Sequence, residues 1–152
     1  MRCVADKLAL RGAVFCGLLG ISVCAYAFEY VSVATPSILY DAPSLKAKKL
    51  FVATRYLPLE QIVSLDNWVK VRDGSGKLYW IEKRALSGKR FVTVSLSVAA
   101  VRENPDVNSA IVFQAPQQLA LEWLGDAGNG WLKVRHLDGA TGYIKNIEVW
   151  GG

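Results

Sequence analysis

The chain has 152 residues, 18 Lys and Arg against 13 Asp and Glu, and only three Cys and one His. A net charge of +5 spread along the sequence is too small for a nucleic-acid footprint and gives a mildly basic surface suited to anionic partners. One histidine and three cysteines confined to the first 24 residues leave nothing after them from which to build a usual zinc site, a thiolate nucleophile or a disulfide.

The first zone is Arg2, Lys7 and Arg11, followed by Gly12 to Cys24 without a charge and then Ala25-Tyr26-Ala27. A basic start, an apolar middle and a small-x-small triplet are the secretory pattern, so residues 1–27 are expected to be a signal peptide cleaved after Ala27. The apolar run is short for a bilayer span, which needs roughly 20 residues. No stable membrane insertion is expected after cleavage, and the mature chain is expected in the periplasm or secreted. Cys3, Cys16 and Cys24 all lie in the segment to be removed. Without residues 1–27 the chain keeps 15 Lys and Arg against 12 Asp and Glu.

The remainder repeats itself. Trp68-Val69-Lys70-Val71-Arg72 returns as Trp131-Leu132-Lys133-Val134-Arg135, and Gly76, Trp80 and Ile81 return as Gly139, Tyr143 and Ile144. Upstream the offset shortens by one and then by another: Pro43, Phe51 and Leu59-Glu60 match Pro105, Phe113 and Leu121-Glu122, and Tyr30–Val33 matches Phe91–Val94. Stepwise drift is what length changes in loops between conserved strands produce. Two units follow, 28–88 and 89–150, joined by Ser87-Gly88-Lys89 and expected to share an interface.

Strands are expected at Tyr30–Val33, Leu50–Thr54, Trp68–Arg72 and Leu78–Glu82. In the second unit they are expected at Phe91–Leu96, Ile111–Gln114, Leu119–Leu124, Gly130–Arg135 and Tyr143–Lys145. Asp73-Gly74-Ser75-Gly76 and Asp126-Ala127-Gly128-Asn129-Gly130 read as turns. Leu45–Leu50 has room for one helical turn, and no longer apolar period of 3.6 is present. A unit of about 60 residues buries little of its unfolded surface, so a closed barrel packed against a second copy suits it. The expected fold class is therefore all-β: two tandem small barrels.

The spacing resembles that of the bacterial SH3-like family. The residues that carry it are Ile38-Leu39-Tyr40-Asp41-Ala42-Pro43-Ser44, Trp68-Val69-Lys70-Val71, Asp73-Gly74-Ser75-Gly76 and Tyr79-Trp80-Ile81 in unit one. In unit two they are Val101-Arg102-Glu103-Asn104-Pro105, Trp131-Leu132-Lys133-Val134, Gly139 and Gly142-Tyr143-Ile144. More narrowly, the chain resembles exported proteobacterial proteins built of tandem domains of this type. Unit one departs from the pattern, with Leu39-Tyr40 for Val-Arg and Tyr79 for Gly.

The resemblance implies a shallow aromatic groove that binds a peptide. Six aromatics are candidates for it: Tyr40, Trp68, Tyr79, Trp80, Trp131 and Tyr143. Tyr40 and Tyr79 differ between the copies and are expected on the surface. Trp68 and Trp131 are expected in packing or at the seam, and Trp150 is expected to dock on a barrel. No catalytic residue, metal site or cofactor is assigned: His136 falls at a turn, and no Gly-x-Ser-x-Gly elbow accompanies it. The expected function is that of an exported, non-catalytic binding or adaptor protein for cell-wall peptides or an envelope protein, with no nucleic-acid partner. The alternative is a scaffold whose barrels mediate only oligomerisation or docking. A cell-wall hydrolase accessory with weak catalysis is more remote.

Overall fold

A computed structural model describes residues 29–152. The expected signal peptide, residues 1–27, lies outside the described residues.

The strands are short because β-branched and aromatic residues alternate with polar ones between turns. In Trp68–Arg72 the two valines are buried while Trp68, Lys70 and Arg72 are half-exposed, the period of two that puts one face on a core. Unit one consists of β1 (Glu29–Val33), β2 (Ser37–Tyr40), β3 (Lys49–Ala53), β4 (Pro58–Ser64), β5 (Trp68–Arg72), β6 (Leu78–Glu82) and β7 (Leu86–Ser87). Unit two consists of β8 (Phe91–Val94), β9 (Val98–Arg102), β10 (Ile111–Pro116), β11 (Ala120–Gly128), β12 (Trp131–Arg135), β13 (Thr141–Lys145) and β14 (Val149–Trp150). The sheet orders are β3-β2-β6-β5-β4-β1-β7 and β10-β9-β13-β12-β11-β8-β14. Each order is the other shifted by seven, so the sequence repeat is a repeat of topology.

The expected closed barrels are corrected on one point. Neither sheet closes through its ladder: β3 and β7 end the first, β10 and β14 the second. The sheets curl enough to enclose a core but leave edges. Short strands with register shifts, at Gln61/Val63 and Trp123/Gly125, bend the sheets without bringing the end strands into pairing. A second correction concerns Leu45–Leu50, which forms a turn running into β3 rather than a helical turn. Likewise, β11 runs on through Gly128, so only Asn129 and Gly130 are left to make the turn expected over Asp126–Gly130.

The cores match position by position. Val31, Val33, Leu59, Val71 and Ile81 fill unit one, and their repeat partners Val92, Val94, Leu121, Val134 and Ile144 fill unit two. Burying each such side chain contributes about 1.5–3 kcal/mol, so two separate cores support two separate sheets.

The units meet along a seam. The Phe91 N–H donates to Ser32 Oγ at 3.1 Å, which gives the buried hydroxyl its partner. The Tyr56 and Phe91 rings pack at 4.5 Å between centroids, and the Trp150 ring meets Tyr30 edge-on at 5.5 Å. The Arg90 guanidinium lies 4.0 Å from the Trp123 ring centroid and 5.6 Å from that of Tyr30, and its Nη2 donates to the Gly151 carbonyl at 3.1 Å. A planar cation between two aromatic faces, one from each unit, clamps the linker.

Candidate functional site

A cleft of about 580 Å³ opens between the two units. Its unit-one wall comes from β3, β6 and the turn after β5: Phe51, Val52, Tyr79, Asp73 and Lys77. Its opposite wall comes from β8 and β14, with Thr93, Ser95 and Trp150. Leu39 and Leu57 lie along it within unit one. The Tyr79 and Phe51 rings meet edge-on at 5.8 Å, and the Trp150 ring covers Gly74, where a methyl group would come within 3.2 Å of it.

Asp73 organises the turn. Its Oδ1 accepts from the Ser75 N–H at 2.9 Å, the Ser75 hydroxyl at 2.7 Å and the Lys77 N–H at 3.0 Å. Burial pushes the carboxyl pKa up, but donors from Ser75 and Lys77, joined by the Tyr79 hydroxyl, outweigh it and hold the pKa below the ordinary 3.8. Tyr79 is pushed the other way, above the ordinary 10.0, by burial first and then by the Asp73 charge. The cleft therefore presents a fixed carboxylate and a neutral phenol across the physiological range, and Lys77 is among its lining residues.

One prediction arises here. A carboxyl whose folded pKa is depressed contributes stability above its unfolded pKa and loses that contribution as pH falls through the folded value. Asp73→Asn is expected to lower the urea midpoint by a constant amount between about pH 5 and 8 and by a shrinking amount below about pH 4. A gap that widens on acidification would contradict the assignment.

Of the six aromatics chosen from the sequence, only Tyr79 lines this cleft. Tyr40 and Tyr79 are corrected from surface to buried, at 4% and 5% exposure. The physical reason is a ring partner for each: Trp68 stands edge-on to Tyr40 at 5.3 Å, as Phe51 does to Tyr79. Tyr40 also borders a shallower depression of about 390 Å³ with Thr35, Ile38, Glu82 and Arg84. Trp131 is buried, with Lys145 above its ring at 5.8 Å. Trp80 and Tyr143 are half-exposed and repeat-equivalent, each under a lysine of the neighbouring strand, Lys70 at 5.9 Å and Lys133 at 6.0 Å. None of the other five candidate aromatics lines the cleft with Tyr79.

Sequence reasoning missed Asp73, Phe51, Lys77, Thr93 and Ser95 as site residues. The signal for Asp73 was its turn. The far wall had no local signal, because it comes from the other unit.

His136 is the repeat partner of Asp73 and lies 2.9 Å from the Asp138 carboxylate, with its ring against Phe113 at 5.5 Å. Among the described residues no group of three or more His, Cys, Asp or Glu is placed to hold a metal ion. No described helix is long and apolar enough to cross a membrane.

Two family models match the sequence, both described as bacterial SH3 domain, one over residues 33–88 and the other over residues 97–147. No curated protein matches. Among solved structures, NlpC2 and NlpC1 from Trichomonas vaginalis are similar, each at 18% identity and a TM-score of 0.38. The similarity to NlpC2 covers 81% of this chain and 48% of that one, and to NlpC1 82% and 46%. The chain thus spans about half the length of these structures.

Proposed function

We propose that this chain, which belongs to the bacterial SH3 domain family, is an exported, non-catalytic binding module that takes a peptide of the cell wall or of an envelope protein in the cleft between its units. The cleft itself carries the reading. It combines aromatic walls from Tyr79, Phe51 and Trp150 with one carboxylate and one ammonium at Asp73 and Lys77. Concave, mostly apolar sites with a few placed polar groups are the usual form of a small-ligand or peptide site. Opposite charges a few residues apart suit a zwitterionic peptide better than a neutral glycan or a polyanion.

Export rests on the basic, apolar and Ala-x-Ala zones of residues 1–27. A binding role without catalysis is supported by the state of the repeat-equivalent carboxylates. Glu60 is buried and paired with Arg72 at 3.4 Å; Glu122 is held by Lys89 at 3.2 Å and Arg135 at 3.8 Å. Carboxylates tied in ion pairs of this kind serve the fold.

The test is retention on purified sacculi at low salt, with Ser95→Trp as the variant that fills the exposed side of the cleft. Wild type is expected to be retained and Ser95→Trp to lose at least tenfold in affinity. Failure of wild type to bind sacculi removes the cell-wall version and leaves the envelope-protein version, to be read by crosslinking in the intact envelope. Equal retention of wild type and Ser95→Trp moves binding away from this cleft.

A further inference from the structure

The two sheets have four end strands. β7 and β14 are two residues long, too short to template another strand. β3 has five residues and β10 six, and each pairs on one side only. On β3 the consecutive residues Phe51 and Val52 are 56% and 68% exposed; on β10, Ile111 and Val112 are 48% and 42% exposed. Ala53 and Ala115 turn into the two cores, but the start of each edge leaves consecutive apolar side chains, which point to opposite faces, open to solvent. Open edges of this kind recruit a further strand.

The loops leading into the two edges have the same shape. In unit one the Asp41 N–H donates to the Lys48 carbonyl and the Ala47 N–H to the Ser44 carbonyl; in unit two Glu103 donates to Ala110 and Ser109 to Asp106. Their charges are opposite. Loop one carries Lys46, Lys48 and Lys49 against Asp41, whereas the equivalent positions of loop two are Asn108, Ala110 and Ile111 against Glu103. Ser44 becomes Asp106 as well. Arg102, just before loop two, is turned inward and donates to the Ser109 carbonyl at 2.6 Å. All three lysines and both acids are exposed, and none of the five enters an ion pair among the described residues.

We infer that the chain assembles head to tail with further copies of itself, the lysine-flanked β3 edge of one copy pairing with the acid-flanked β10 edge of the next. The complement of each edge is carried by the chain itself. The charged loops flank the N-terminal ends of both strands, so they meet when the edges pair in parallel; in that arrangement β3 with β3 would set lysines against lysines, and β10 with β10 acids against acids. Pairing unlike surfaces leaves one free edge of each kind on every growing end, so addition continues until a ring closes or a filament forms. Strand pairing and the covered apolar residues supply the adhesion, and the loop charges choose the partner edge and speed encounter. None of the five charged residues lines the cleft. Phe51 and Val52 belong to both surfaces, so assembly and cleft occupancy compete.

The experiment is sedimentation velocity on the purified exported form, without residues 1–27, across protein concentration at low and high salt, with two charge-reversed variants. One is Lys46→Glu/Lys48→Glu/Lys49→Glu; the other is Glu103→Lys/Asp106→Lys. Wild type is expected to grow in mass with concentration, without stopping at a dimer, and to shift toward monomer in high salt. Each variant alone is expected to associate at least tenfold more weakly. An equimolar mixture is expected to recover association, because the edges are again complementary; this also shows that both variants are folded. A wild type that stays monomeric, one that stops at a symmetric dimer, or reversed variants that do not recover on mixing would each overturn the inference.

Discussion

Gly142→Ala is expected to destabilise the second unit by about 3 kcal/mol, the upper end of what overpacking costs. A methyl group at Gly142 would stand 2.6 Å from Val101 Cγ1 and 2.7 Å from the Arg102 carbonyl oxygen. Val101 is fully buried and cannot move aside cheaply. The Arg102 carbonyl belongs to the strand that β13 pairs with through Tyr143, so its retreat would break that pairing. The readout is urea unfolding followed by the near-ultraviolet signal of the second unit's tryptophans. The repeat makes the prediction sharper. Unit one holds Tyr79 at the equivalent place, so the fold as such does not demand glycine there; the close approach of β9 does. A loss below about 0.5 kcal/mol, the size of an ordinary surface change, would mean that β9 and β13 stand further apart than described.

Trp150→Ala is expected to cost about 2 kcal/mol and to abolish cleft binding together. Full truncation of a core tryptophan costs about 3–5 kcal/mol, and Trp150 is only half-buried, so the lower figure applies. The lost contacts are specific: the edge-on meeting with Tyr30 at 5.5 Å and the cover over Gly74. Both join unit two to unit one. Gly151 follows at φ 100° and packs so closely on Pro58 that a methyl group would come within 2.7 Å, so the backbone after Trp150 has no slack to reposition a smaller residue. Trp150→Phe is expected to keep most of the stability and part of the binding. Equilibrium unfolding and sacculus retention, measured on the same samples, separate the two effects. Retained binding in Trp150→Ala with lowered stability would show that the far wall is a prop and not a contact.

The strands and the core were legible because two independent signals agreed. Alternation marked Val69 and Val71 as inward, and the repeat marked Leu132 and Val134 as their partners. Strands β2, β7, β9 and β14 went unread, and so did β4 although its counterpart Leu119–Leu124 was seen, since Pro58 opens β4 and Ile62 and Val63 at its end are exposed. The aromatics misled for a definable reason. Tyr79 against Gly142 looked like a surface difference, but it is a packing difference: a ring fills beside Phe51 the room that β9 closes off beside Gly142. The cleft was beyond reach because its walls come from different units. Gly74 and Trp150, or Ser32 and Phe91, share no local pattern that would announce contact.

The seam also has a consequence for the order in which the molecule is made. Chains emerge N-terminus first and domains tend to fold in that order. The first sheet has all its strands once Ser87 is out, yet its cleft still lacks a wall. The wall comes with β14, the last strand, and is held in place by the Arg90 donor bond to Gly151. On the proposed reading, cleft binding is therefore expected to wait until β14 has been made. On that reading, a molecule interrupted before β14 is expected to lack Trp150 and with it the capacity to hold a ligand in the cleft.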